Sequence, residues 1–371
     1  MIVEVIRGLN MGGAETLLFT RLRYLKANRP EQFKRTIVVN TLGTSSYYTE
    51  ALHELGVPLI TLPSANPIVG AIELRRFLRS TNNVSAIVFH SPVTSYFEKL
   101  LRFVRSRPAQ PRIIDVVHST RYRSIYRALG ALLDRKADVA LAVSDDVAAA
   151  STTAHFRQVT TLFAGVDVDR MRTWVGDNAG APSDLRRDEG IPAEYRLMVA
   201  VGSLIPLKGH RYLIESLADS RLEKVALVLV GDGPERSSLQ SLAKALGVCD
   251  RVRFAGRVPD GWRWTAVADL IAHPSEYEGL PVALMEAAVL GTPIVATNVG
   301  GISQVLQKGA DGVLIERQDP ELLADAISDV LARTPEISSM FVNRARSDSF
   351  WSMRRYVDEF YSVVGSVADS R

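Results

Sequence analysis

The sequence predicts an α/β protein made of two Rossmann-like, doubly wound parallel-sheet domains facing a cleft. Three observations carry this. Short β-rich apolar runs alternate with helical patterns along the chain. Several runs are apolar on successive rather than alternate residues, as strands covered on both faces require. The rhythm lapses once, near the middle, and then restarts.

In order, the first-half runs are "IVEVI" (2–6), "RTIVVNTL" (35–42), "PLITLP" (58–63), "SAIVFHS" (85–91), "RIIDVVHS" (112–119), "DVALAVS" (138–144) and "VTTLFAG" (159–165). Helical segments such as "AETLLFTRLRYLKAN" and "IELRRFLRSTNN" lie between them. The stretch 173–194, rich in Gly, Pro, Asp and Asn and poor in large apolar groups, reads as a linker. Six further runs follow: "LMVAVGSL" (197–204), "VALVLVGDG" (225–233), "VRFAGR" (252–257), "LIAHPS" (270–275), "PIVATN" (293–298) and "GVLIE" (312–316). The expected domains are 1–175 and 176–349, with a terminal helix at about 350–371 packing back on the first. In such sheets ligands bind beyond the carboxyl ends of the strands.

Length and composition fit this reading. A chain of 371 residues, 47% hydrophobic and 23% charged, suits two soluble domains. It has no apolar run long enough to span a membrane. The opening "MIVEVIRGLNMGGAE" reads as strand and Gly-rich turn rather than as a signal peptide. The single cysteine, Cys249, excludes an internal disulfide and a Cys-based zinc site and fits a cytoplasmic protein. Charge is uneven: residues 1–175 carry 23 Lys+Arg against 14 Asp+Glu, a balance of +9, and the remainder carries 21 against 27, or −6. A basic half suggests an anionic partner such as a phosphate-bearing substrate, an anionic membrane or nucleic acid, although an asymmetric surface alone would look the same.

The most informative stretch is "EYEGLPVALMEAAVLGTPIVAT" (276–297). Pro281 suits a first helical turn and Gly291 the position just past its end, so a helix over about 281–290 is expected. Glu278 then lies in the preceding loop, and Glu286 lies inside a helix that is otherwise apolar all round and hence buried. A Glu there costs several kcal/mol unless it is bonded; a place at the rim or a backbone partner would relieve it. Leu280 cannot cap, so the first-turn N–H groups, next to Gly279, form a seat for phosphate. In "VGSLIPLKGH" (201–210), Gly202 permits close backbone approach and Lys208 is a point charge within reach of a phosphate. "VGDGPE" (230–235) is a second Gly-rich strand end, without P-loop or dinucleotide-fingerprint spacing.

"VGSLIPLKG", "LVLVGDGPER", "LGVCDRVRFAGRV", "ADLIAHPSEYEGLPVALMEAAVLGTPIVATNVGG" and "FWSMRRYVDEFYSVV" occur in that order, after "NMGGAETLL", "FHSP", "VVHS", "AVSDDVA" and "GVDVDRM" in the first half. This set resembles the retaining glycosyltransferases of family 4, with the GT-B fold, over almost the whole chain. The resemblance implies that Glu286 binds the ribose diol of a nucleotide sugar and Glu278 the hydroxyls of the donor sugar. It implies that backbone N–H groups around Gly279, Leu280 and Val282, with Lys208, hold the diphosphate. Arg257 and Val258 would clasp the base through their backbone. It also implies that His118 contacts the donor sugar near the reacting centre. The family usually has Arg where this chain has Ser203, so a hydroxyl replaces a guanidinium. Another residue then takes that role, or the donor phosphates are held less strongly.

In the first half, Gly12 and Gly13 form a turn after the first strand whose N–H groups would face the diphosphate across the cleft. His90 and His118 end strands, a place where a single His is more often a structural polar residue than a catalyst; His90 is an acceptor-side candidate. Arg121 and Arg123, with Arg127, Arg102, Arg105 and Arg107, form a basic amphipathic region suited to a phosphate-bearing acceptor or the inner face of a membrane. Asp167 and Asp169 mimic a metal-binding Asp-x-Asp, but they lie in the family's strand-to-linker segment and imply no metal. The expected reaction moves a sugar from a nucleotide diphosphate to an acceptor hydroxyl with retention, without metal or other cofactor. By resemblance it is a front-face displacement assembled by domain closure. It would serve polysaccharide, lipopolysaccharide or glycolipid assembly, with a glycan or lipid-linked acceptor and no nucleic acid. The alternatives are a nucleotide-sugar epimerase of the same fold and an inactive partner subunit; a dehydrogenase is disfavoured by the missing G-x-G-x-x-G.

Overall fold

The computed structural model describes residues 1–371 except 10–11, 42–46, 63–65, 91, 105–110, 121–123, 178–181, 308–311, 341–343 and 367–371. It divides into two compact units, one of Met1–Gly165 with Met353–Arg371 and one of Val166–Ser352. The division falls ten residues before the expected 175, because the segment after Gly165 is tied into the second unit. Val166 N–H donates to Trp351 O at 2.7 Å, and Arg172 pairs with Asp348 at 2.9 Å. The expected linker is also not bare. It holds the end of a helix, Val168–Asp177, and a second helix, Pro182–Asp188. The second starts with Pro, carries Asp184 in its first turn and Arg186 and Arg187 in its last, a charge order that complements the helix dipole.

The first unit has a seven-stranded parallel sheet: β1 (Ile2–Ile6), β2 (Thr36–Asn40), β3 (Leu59–Thr61), β4 (Ala86–Phe89), β5 (Arg112–Val117), β6 (Val139–Ala142) and β7 (Val159–Thr161). Their spatial order is β3-β2-β1-β4-β5-β6-β7. The second has six parallel strands: β8 (Arg196–Val201), β9 (Val225–Val230), β10 (Val252–Gly256), β11 (Leu270–His273), β12 (Ile294–Thr297) and β13 (Gly312–Ile315), in the order β10-β9-β8-β11-β12-β13. Every run read as a strand forms one. The reason is visible in burial: β1, β4, β6, β9, β11 and β12 are buried at every position, as helices on both faces demand. In the second unit Leu213, Leu239, Leu323 and Ile327 from flanking helices close one face, and Ile191, Trp264 and Val267 the other.

Strand order reverses between β1 and β4 in the first sheet and between β8 and β11 in the second. At such a switch point the two connections leave in opposite directions and open a crevice at the carboxyl edge. The loops there follow β1 (Gly12, Gly13), β4 (His90), β8 (Gly202–Gly209) and β11 (Pro274–Pro281). These are the loops that carry the sequence candidates. The terminal helix Met353–Ser366 belongs to the first unit, where Arg355 donates to Phe163 O at 2.7 Å and Arg29 pairs with Asp358 at 2.7 Å. Among the described residues no helix is long and apolar enough to cross a membrane.

Candidate active site

In the second unit the site is built around Glu278. Its Oε1 accepts three hydrogen bonds: from Lys208 Nζ, from His273 Nε2 at 2.5 Å and from Ser275 Oγ at 2.8 Å. Each donor is placed by a local rule. Lys208 ends a 3₁₀ turn opened by Pro206 and stopped by left-handed Gly209. His273 is the last residue of β11, and Ser275 follows it after Pro274. Oε2 accepts no bond among the described residues and is not sealed from solvent, so it is the free face of a buried carboxylate. Burial alone would raise the pKa of Glu278; His273 and Lys208 outweigh it and hold it at about 2. The result is a fixed anion with one open oxygen.

The helix Val282–Leu290 begins one residue later than expected. Pro281 is its N-cap in extended conformation, no side chain caps it, and left-handed Gly291 ends it. Among the described residues the N–H groups of Gly279, Leu280, Val282 and Ala283 have no hydrogen-bond acceptor. Four open donors beside a helix N-terminus make a seat for an anion. Gly300 holds this loop close. It has φ +52°, and a Cβ there would stand 1.9 Å from Glu278 O, so no other residue fits without moving the loop. Gly231 serves the neighbouring strand end likewise: a Cβ would stand 1.9 Å from Gly202 O.

Glu286 is half-buried on that helix, eight residues after Glu278. Burial and then the nearby carboxylate of Asp260 push its pKa up to about 8. Asp260 is itself held at φ +55° by the Arg170 guanidinium, which bonds both its oxygens, and by Trp262 Nε1 at 3.2 Å. Among the described residues Glu286 is thus a carboxyl without a cation of its own, in contrast to Glu278. Arg257 is exposed just after β10, and Val258 packs against the cluster of Trp264 and Val267. Ser203 is half-buried after β8, and its hydroxyl makes no hydrogen bond among the described residues.

In the first unit Gly12 is the N-cap of the helix Gly13–Asn28 and has no side-chain cap. The carboxylate of Glu15 folds back over it, 2.5 Å from where a Gly12 Cβ would lie. His90 and His118 come together: their rings stack at 5.8 Å and 26°. His90 Nε2 bonds Glu4 Oε2 at 2.9 Å. Burial first, then His90, depresses the pKa of His118 to about 3, so its ring is neutral. Arg121 and Arg123 lie outside the described residues. Asp167 is a helix cap: its Oδ1 accepts from Arg170 N–H at 3.3 Å.

The sequence reading passed over His273, Asp260, Arg170 and Glu4. His273 and Glu4 left a signal, each being the one polar residue inside a run that is otherwise apolar, "LIAH" and "IVEVI". Asp260 and Arg170 lie 90 positions apart in turn- and helix-like sequence, and nothing local marks them as partners.

Residues 183–348 match the family model described as Glycosyl transferases group 1. The chain is 34% identical over 189 residues to D-inositol 3-phosphate glycosyltransferase 2 of Catenulispora acidiphila, covering 47% of this chain and 42% of that protein. It is 37% identical over 141 residues to the lipopolysaccharide core biosynthesis glycosyltransferase LpsE of Rhizobium meliloti, covering 38% and 41%. The matched segment thus spans less than half the length of these curated relatives. The fold extends further. The crystal structure of Anabaena HepE in complex with UDP-glucose superposes with a TM-score of 0.83 over 98% of this chain and 99% of that one, at 21% identity. The two-sheet architecture is therefore that of the GT-B glycosyltransferases.

Proposed function

We propose that this protein is a retaining glycosyltransferase, acting without a metal, that moves a sugar from a nucleotide diphosphate to an acceptor hydroxyl in polysaccharide, lipopolysaccharide or glycolipid assembly. The observation that carries the reading is the arrangement at the β8/β11 switch point. An ionised carboxylate in the loop presents one open oxygen beside a row of N–H groups that are unbonded among the described residues, and a second carboxyl, with no cation beside it among those residues, lies on the helix that follows. Glu278 Oε2 suits a sugar hydroxyl as donor. The open N–H groups of Gly279, Leu280 and Val282 suit the diphosphate, and Glu286 suits a ribose diol, which donates two hydrogen bonds and brings no charge.

In this reading the bond between the anomeric carbon and the diphosphate oxygen breaks with its electron pair going to the diphosphate. The acceptor oxygen attacks from the same face, and its proton passes to the departing phosphate. The protein contributes position and charge stabilisation. Lys208 is shared: it fixes Glu278 and remains partly exposed, so its charge also falls on the phosphate seat. Neutral His118 can donate or accept a hydrogen bond to the transferred sugar without adding charge. Ser203 in place of Arg leaves phosphate binding to the backbone groups and Lys208.

The reading is tested by thermal unfolding with UDP, GDP and ADP and their common sugar conjugates. A ligand at 100 times its Kd adds about 2.7 kcal/mol to stability. One base is expected to raise Tm, and transfer to an acceptor should accompany donor consumption. Consumption without an acceptor and with a C2 or C4 epimer as product would identify an epimerase instead. No shift with any nucleotide would point to an inactive partner subunit.

The proposal extends to an anionic membrane as the place where a lipid-linked acceptor is met. The helices Pro92–Val104 and Ser124–Leu133, in the basic half, expose Leu100 at 47% and Leu132 at 60%. Co-sedimentation is expected with phosphatidylglycerol vesicles and not with phosphatidylcholine vesicles, and it should weaken with salt. Equal binding to both, or none, would remove this part of the reading.

A further inference from the structure

Glu4 lies in the middle of β1, a central strand buried at every position, where the fold calls for an apolar residue. It is instead an ionised carboxylate with both oxygens bonded. Oε1 accepts from Arg21 Nη2, and Oε2 from His90 Nε2 at 2.9 Å. Burial alone would raise its pKa; Arg21 and His90 outweigh that and keep it below the usual carboxylate range. Arg21 is as deeply buried, and its guanidinium lies 4.1 Å from the centroid of the Phe360 ring, with Tyr356 at 5.9 Å. A buried ion pair of this kind can often be replaced by apolar residues of similar volume with no loss of stability. Its presence in the strand that borders the switch point therefore suggests a task beyond holding the fold.

The task is visible at the other end of the chain of contacts. His90, bonded to Glu4, stacks on His118, the ring that ends the loop side of β5. Two ring nitrogens, His90 Nδ1 and His118 Nε2, are buried and have no partner among the described residues. Such atoms are rarely left so unless a ligand or an ordered water completes them. The contact path runs from Phe360 through Arg21, Glu4 and His90 to His118, and every member belongs to the first unit. The charged and titratable groups facing His90 along it are Glu4 on β1, His118 after β5 and, behind Glu4, Arg21 on the helix Gly13–Asn28. Tyr356 and Tyr361 on the terminal helix face Arg21.

We propose that Glu4 is a positioning residue of the sugar-transfer site: it fixes the orientation of the His90 ring, and through the stacked rings it fixes His118. Phe360 and Arg21 hold Glu4 in place, which makes the terminal helix part of the site's support. The proposal rests on the glycosyltransferase reading of His118, and the experiment separates the two.

The protein is labelled with ¹⁵N-histidine, and the six imidazoles are assigned by single His→Gln variants. The Glu4→Gln variant keeps the shape and one acceptor and loses the charge. The His90 ring resonances are expected to move in it, because the partner of Nε2 changes from an anion to a neutral amide, and the His118 resonances should move with them through the stacked rings. Acceptor-free hydrolysis of UDP-glucose or GDP-mannose is expected to lose tenfold or more in kcat with KM within twofold. Unchanged His90 and His118 resonances, or an unchanged kcat in a folded variant, overturn the proposal. If the wild type hydrolyses neither donor and no nucleotide shifts its Tm, the functional reading fails, and the imidazole resonances still decide whether Glu4 controls the two rings. If Glu4→Gln does not fold because Arg21 is left unpaired, the Glu4→Gln/Arg21→Met double variant removes both charges and is read in the same way.

Discussion

Replacing Glu286 by Gln is expected to make the free protein more stable at alkaline pH while removing most of the stabilisation that a nucleotide confers. The two effects have one cause. Burial and the neighbouring Asp260 raise the pKa of Glu286 to about 8 in the folded protein. In the unfolded chain it ionises near the ordinary 4.5. A raised carboxyl pKa means that the folded state binds a proton the unfolded state has released. Stability is then lost as pH rises from 4.5 through 8, and the loss is complete above 8. Gln does not titrate, so the variant should lack that decline. Glu286 is half-buried, so solvent screens part of the effect, and about 1–2 kcal/mol at pH 8.5 is a reasonable scale. For a unit of this size that is several degrees in Tm.

Ligand binding should move the other way. In the proposed function a ribose diol donates to the ionised carboxylate, and hydrogen bonds to charged groups contribute roughly 1.5–3 kcal/mol each. Gln keeps one acceptor, so affinity should fall by roughly 10- to 100-fold. The wild type should bind its nucleotide more tightly as pH rises toward 8, because binding selects the ionised form. Tm measured from pH 5 to 9, with and without UDP or GDP, checks all three statements. A variant whose pH curve overlays that of the wild type would show that Glu286 is not the titrating group. Greater stability in the absence of ligand and weaker binding in its presence is the signature of a residue kept for function at the expense of the fold.

The two carboxylates also show how far sequence reasoning reaches. Pro281, Gly291 and the all-apolar surface of the helix were enough to place Glu286 in a buried helix and Glu278 in the loop before it, because these are local rules. The central strands were legible for a similar reason: a strand covered on both faces, as β1, β4, β6, β9, β11 and β12 are, has to be almost continuously apolar, and the less buried β3, β7, β10 and β13 followed from the alternation with helical segments. What local rules could not show is which polar groups meet. Glu278 and Lys208 are 70 positions apart, and each alone looked like a ligand contact. The structure joins them, so that part of the lysine's charge is already spent on holding the carboxylate. His90 and His118 looked like two independent strand ends; adjacency of β4 and β5 in the sheet makes them a stacked pair. The misread linker has a different origin. Gly, Pro, Asp and Asn are turn residues on average, but the helix that Asp167 caps ahead of the stretch runs on into it and Pro182 opens another, since Asp and Pro serve helix starts as well as loops.

Replacing Glu278 by Gln is expected to abolish transfer and to leave a protein whose stability deficit shrinks toward acid. Donor hydrolysis should fall by roughly 10²- to 10³-fold, the scale seen when one fixed electrostatic partner of a developing charge is removed. The stability argument again follows from the direction of the shift. The folded pKa of Glu278 is held at about 2 against an ordinary 4.5, by His273 and Lys208 acting against burial. A depressed carboxyl pKa contributes stability that is fully present above 4.5 and is lost as pH falls through 2. Two to three pKa units correspond to about 3 kcal/mol at neutral pH. Lys208 is 21% exposed and can turn to water when its partner is neutral, so the measured loss should lie toward the lower end, about 2 kcal/mol. Urea unfolding of both proteins at pH 7, 5, 4 and 3 should show the gap narrowing below 4.5. A gap that stays constant with pH would mean that Glu278 contributes packing rather than charge. The fixed anion on which the donor-sugar assignment depends would then be absent.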